Sequence, residues 1–106
     1  MYMKVLAKTV YKEGYYLVWS TDFLEGRHLD IMKTTNDIQA VLETKTGKRL
    51  ADAICHYGSY GVEDNLWEIM VEHPPKRWGD NVLGHLTWKE VEKLFDREIK
   101  LAERYK

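Results

Sequence analysis

Polar and apolar residues alternate over residues 3–12, with Met3, Val5, Ala7, Thr9 and Tyr11 set against Lys4, Leu6, Lys8, Val10 and Lys12. Such alternation predicts a strand with two unlike faces. The same stretch also fits a helix, since Met3, Leu6, Ala7 and Val10 share one face and the lysines take the other. The strand is preferred because of what flanks the short Lys12-Glu13-Gly14 connection. Thr9, Val10 and Tyr11 precede it, and Tyr15, Tyr16, Val18 and Trp19 follow it. β-Branched and aromatic runs on both sides of a glycine-bearing turn read as a hairpin. A second strand is therefore predicted over 15–20. Residues 21–27 read as a connection, with Gly26 free to take positive φ. A short third strand over 28–33 follows, and Asn36-Asp37 breaks the chain before the next element.

Residues 38–56 admit two patterns. Ile38, Val41 and Leu42 would share one side of a short helix, whereas Thr46-Gly47 would close a hairpin pairing 38–45 with 48–56. Lys45, Lys48 and Arg49 around Gly47 mark an exposed turn, which favours the hairpin. Strands are predicted over 51–56 and 66–71, joined through Tyr57-Gly58-Ser59-Tyr60-Gly61. Pro74 and Pro75 cannot donate ladder hydrogen bonds, so the second of these must end before them. A short strand over 82–86 returns to the sheet.

The clearest local signal comes last. Thr87-x-x-Glu90 is a capping box, with Leu86 and Val91 placed to staple across it. The helix it starts is predicted to run from about Trp88 to Arg104. Trp88, Val91, Leu94, Phe95, Ile99, Leu101, Ala102 and Tyr105 form a wide apolar arc that needs a surface to cover it. Asp96 and Lys100 are spaced for an i,i+4 pair on the wet face. Glu98 is anomalous, because its angular position lies inside the apolar arc. The ordinary expectation has it reaching water past Leu94 and Ala102 near a fraying end. The alternative makes it a buried acceptor or an interface residue. Together these elements predict an α+β fold: a mostly antiparallel sheet of five to seven strands with one C-terminal helix packed on it.

Composition narrows the class without naming a function. A chain of 106 residues fits a single domain spanning 1–106, able to bury roughly two-thirds of its unfolded surface. With 44% hydrophobic and 31% charged residues it reads as a globular protein. The 16 basic residues against 17 acidic ones give a net charge of −1, which argues against a general binder of phosphate backbones. Lys4, Lys8 and Lys12 interrupt any apolar leader, and no run of about eighteen apolar residues occurs. No membrane association is expected. A single cysteine, Cys55, excludes an intrachain disulfide and suits a reducing compartment. The expected location is cytoplasmic.

The candidate chemistry is sparse. Cys55-His56 with His28, His73 and His85 lacks the local pairs of zinc sites, and adjacent strand residues point to opposite faces. The same divergence disfavours a Cys–His nucleophile pair. Glu63, Asp64 and Glu68 read as solvated charges, with Glu68 facing out between inward Trp67 and Ile69. Tyr57-Gly58-Ser59-Tyr60-Gly61 lacks the spacing of a phosphate loop. Its glycines suit a turn, and Tyr57 and Tyr60 also suit a contact surface. Lys76, Arg77 and Trp78 form the most contact-like segment, since such residues touch phosphates, stack on bases and dominate protein hot spots. The competing expectation is a solvated loop whose Trp78 folds back onto the sheet. No catalytic residue, cofactor or metal is expected.

The run from Cys55 to Gly61, then Leu66-Trp67-Glu68-Ile69-Met70 and Val82-Leu83-Gly84-His85-Leu86-Thr87-Trp88-Lys89-Glu90-Val91, resembles a pattern of small phage and prophage proteins, SYG…LWEI…VxGxLTxxEV. It covers about the last half of the chain. The resemblance implies a mobile-element origin, and with it a bacterial host cytoplasm, but assigns no catalytic residue. On this basis the expected function is a non-enzymatic phage-type accessory protein that binds and modulates another protein, for instance as an inhibitor of a host defence system. The alternative is a nucleic-acid-associated accessory protein, and the third reading is a small enzyme or nucleotide-binding protein. Pairing of two copies across a two-fold axis is compatible with either uncovered face.

Overall fold

The computed structural model describes residues 3–22, 38–55 and 66–104. Six strands, β1 (Met3–Lys12), β2 (Tyr15–Asp22), β3 (Ile38–Thr44), β4 (Arg49–Cys55), β5 (Trp67–Val71) and β6 (Val82–Leu86), precede the helix α1 (Trp88–Arg104). They form one sheet in the order β1-β2-β3-β4-β5-β6. Every neighbouring pair is antiparallel. The fold is α+β, a six-stranded antiparallel meander with a C-terminal helix packed against it.

Both strand-or-helix ambiguities resolve as strands, because each segment finds a partner on both sides or at an edge. Gly14 closes the β1–β2 turn at φ 84° and Gly47 the β3–β4 turn at φ 91°, a region open to glycine without steric cost. β2 continues two residues past the expected end at Ser20, pairing Thr21 with Lys4 and Asp22 with Met3. The β3–β4 turn is wider than Thr46-Gly47 alone. Thr44 accepts from the Lys48 N–H with its hydroxyl at 3.1 Å and donates its own N–H to the Lys48 carbonyl at 2.9 Å. These bonds leave Lys45–Lys48 outside the ladder. The expected strand over 28–33, the Tyr57–Gly61 loop, His56 and Tyr105 lie outside the described residues.

One face of the sheet carries the core. Leu17 stands opposite Leu42, Leu42 opposite Ala51, and Ala51 opposite Val71. The neighbouring row runs Trp19, Ala40, Ala53, Ile69 and Leu83. A bulge at Leu42/Glu43 adds Leu50 to the same cluster. Small residues in the middle strands leave depth for Val91, Phe95 and Ile99 of α1, which join Leu42, Ala51, Ala53 and Ile69 in one buried cluster. Complete burial of a side chain the size of Phe95 contributes about 2–3 kcal/mol. On the opposite face, the Ser20 hydroxyl donates to Gln39 at 3.1 Å and the Gln39 amide donates to Asp52 at 2.7 Å, a polar ladder across β2, β3 and β4.

α1 begins as its sequence predicts. The Thr87 N–H donates to Glu90 Oε1 at 2.8 Å, and the Glu90 N–H donates to Thr87 Oγ1 at 3.2 Å. Leu86 and Val91 are both buried in the main cluster. At the same end Trp88 lies 4.8 Å from Trp67 and 5.4 Å from Trp19, ring centroid to centroid. Two expectations on α1 change. Asp96 pairs with Lys12 of β1 at 2.8 Å and accepts from the Tyr11 hydroxyl at 2.9 Å, where an i,i+4 pair with Lys100 was expected. The helix face bearing Asp96 is turned toward β1. Glu98 does not reach water: it is wholly buried.

Candidate binding cleft

Strand order decides which parts of the chain meet at the ends of the sheet. In an antiparallel meander the β1–β2, β3–β4 and β5–β6 connections fall at one end, and a helix that leaves β6 at the far end returns its C-terminus there. This end holds a cleft of about 850 Å³, lined by Glu13 and Gly14, Tyr15 and Tyr16, Thr44 through Thr46, Lys48, Leu50, His73, Ala102 and Glu103. That volume is of the size that encloses a small ligand or a few residues of a peptide, roughly 300–1,000 Å³.

Three ties hold the cleft's walls. The Lys45 N–H donates to the Gly14 carbonyl at 3.1 Å, fastening the two hairpin turns side by side. The Tyr15 hydroxyl donates to Glu103 Oε2 at 3.0 Å, fastening β2 to the last turn of α1. Burial, then the Glu103 hydrogen bond, push the Tyr15 phenol above its ordinary value.

The third tie is built on Glu98. Its Oε1 accepts the His73 backbone N–H at 3.1 Å and stands 3.2 Å from His73 Nδ1. Its Oε2 accepts from Arg97 at 2.9 Å, and Arg97 also donates to the His73 carbonyl at 2.6 Å. A buried carboxylate is tolerated when its oxygens are paired in this way. His73 follows β5 immediately, so the network locks the strand's exit to the helix and fixes the imidazole at the cleft wall. Nearby, Lys48 Nζ lies 3.4 Å from Glu72 Oε1, and His73 Nε2 lies 3.8 Å from the same oxygen. The buried-acceptor alternative for Glu98 is therefore the one observed.

Of the residues singled out from the sequence as contacts, Lys76, Arg77 and Trp78 lie away from the cleft. Lys76 and Arg77 are exposed on a 3₁₀ turn, Lys76–Trp78, closed by Gly79 at φ 67°. Trp78 is half-buried and packs against the core cluster. Tyr57 and Tyr60 lie outside the described residues. The sequence shows the cleft's parts as two turns, around Gly14 and Gly47, and shows Glu98, which anchors the cleft's His73, as a charge out of place on its helix. Among the described residues, no three or more His, Cys, Asp and Glu side chains come together as a metal site. Cys55 is buried. No helix among them is long and apolar enough to cross a membrane.

No family model matches this chain, and no curated protein or solved structure is significantly similar to it.

Proposed function

We propose that the protein acts by binding, taking a short segment of another protein into the cleft at the turn end of the sheet and modulating that protein by occupying the segment. The observation that carries this reading is a concave site with an apolar floor whose walls are tied in place before any ligand arrives. Leu50 and Tyr15 of the floor are buried and Ala102 is half-buried. A preformed site loses less conformational entropy on binding than one that must order itself. Burial of a segment's apolar side chain on that floor would supply the affinity, and the rim's polar groups would set its orientation.

A photo-crosslinking side chain at Thr46, with Val10 as the comparison position, tests this in extract of the producing cells. Thr46 is at the cleft and Val10 is exposed on the edge strand. A discrete crosslinked protein from position 46 and none from position 10 is the expected result. A partner that co-purifies yet crosslinks equally from both positions, or only from position 10, would remove the cleft from the proposal.

The nucleic-acid alternative rests on Lys76 and Arg77, but the ring that would stack on a base, Trp78, packs against the core. Filter binding at low salt to single- and double-stranded DNA and RNA separates the two readings. Absence of retention is expected.

A further inference from the structure

The cleft carries charge of both signs. The β3–β4 turn contributes Lys45 and Lys48, the β1–β2 turn fastened beside it contributes Glu13, and the end of α1 contributes Glu103. Lys45 and Glu13 line the same cleft, yet neither makes an ion pair among the described residues. Lys48 holds Glu72 only loosely, at 3.4 Å with both side chains solvated. Among these charges lie the apolar contributions of Leu50, Tyr15 and Ala102.

From this arrangement we infer that the cleft selects a peptide segment carrying an acidic and a basic side chain on either side of an apolar one, the acidic group toward Lys45 and Lys48 and the basic group toward Glu103. The inference rests on the binding reading and specifies its ligand. Two lysines and two glutamates offset one another, so a ligand of one sign gains against one pair what it loses against the other. A polyanion such as a nucleic-acid backbone needs a surface of one sign. The separation of Lys45 and Lys48 from Glu103 also fixes the direction in which a segment lies, because the reversed ligand sets its basic group against the two lysines and its acidic group against Glu103.

The test is an amide-detected NMR titration of the labelled protein with four capped five-residue peptides sharing a central leucine. One carries a glutamate and a lysine on its two sides, one two glutamates, one two lysines and one two glutamines. The glutamate–lysine peptide is expected to move the Gly14, Thr46 and Lys48 amides at about tenfold lower concentration than the others, as two partly screened ion pairs allow. Lys45→Glu, at an exposed turn position, should abolish that preference while leaving the rest of the spectrum in place. If a peptide of one sign or the neutral peptide moves the same amides as well or better, the mixed-charge inference falls and the cleft reading stands. If none of the four moves the cleft amides at millimolar concentration, both fall.

Discussion

Glu98 and His85 are the two residues whose local chemistry departs from the pattern around them. Glu98 sits in the apolar stripe of α1, and its burial is tolerated because His73 and Arg97 satisfy both its oxygens. Glu98→Ala would leave the His73 N–H and the Arg97 guanidinium without their acceptor, costing about 3 kcal/mol. Glu98→Gln keeps an acceptor and the shape, and should cost about half as much. Urea unfolding of the two variants would show this order, and equal losses would mean that packing rather than pairing governs the site. His85 is the one non-glycine residue with positive φ among the described residues, at 59°. It falls where β6 bulges, since Trp67 pairs with Leu86 and Ile69 with Leu83, so that Glu68 faces both Gly84 and His85. Histidine and asparagine tolerate this region better than most side chains, and β-branched ones tolerate it worst. His85→Val should destabilise by about 1–2 kcal/mol and His85→Asn by much less, read from the shift in melting temperature.

Several element boundaries follow from chemistry within a few residues. Gly14 and Gly47 supply the backbone angles for their turns, and Pro74 and Pro75 end the ladder beyond β5. Thr87 and Glu90 satisfy each other's backbone donors at the start of α1, and the Thr87 N–H and hydroxyl, both donated to its carboxylate, hold the Glu90 carboxyl below its usual range. A lowered folded-state value means stability present above the ordinary carboxyl range and lost as the pH falls through it. Thr87→Ala should cost about 1 kcal/mol at neutral pH. The difference between it and the parent should narrow in acid as Glu90 is protonated. A Thr87→Ala loss that is unchanged at pH 3 would separate the cap from the carboxylate. The segments that read two ways, 3–12 and 38–44, are settled at this scale only in part. Their periodicity suits helix or strand, and the choice follows from the partners that each finds across a turn.

For the whole molecule, the helix docks on β4, β5 and β6, while β1 and β2 are held to it by long aromatic side chains. Tyr11 donates to Asp96 at 2.9 Å and Tyr15 to Glu103 at 3.0 Å, spanning from the first hairpin to the last element. Burial, reinforced by the facing carboxylates, raises both phenols above their ordinary value. With the folded-state value raised, the native protein holds these protons more tightly than the unfolded chain. The stability they contribute is complete below about pH 10 and is lost as the pH rises beyond it. Tyr11→Phe and Tyr15→Phe should flatten that alkaline decline in a denaturation series between pH 8 and 11, and an unchanged slope would assign it to other groups. Both sheet edges carry devices against strand-to-strand association: two bulges and Lys8 in β1, and a bulge in the short β6. From the sequence alone came the hairpins, the helix with its cap and apolar arc, and the α+β class, because turn chemistry and periodicity act over a few residues. The cleft, the partners of Glu98 and Asp96, and the seat of Trp78 were decided by the tertiary structure. Each depends on contacts between residues far apart in the chain, such as Tyr15 with Glu103 and His73 with Glu98, which no local pattern encodes.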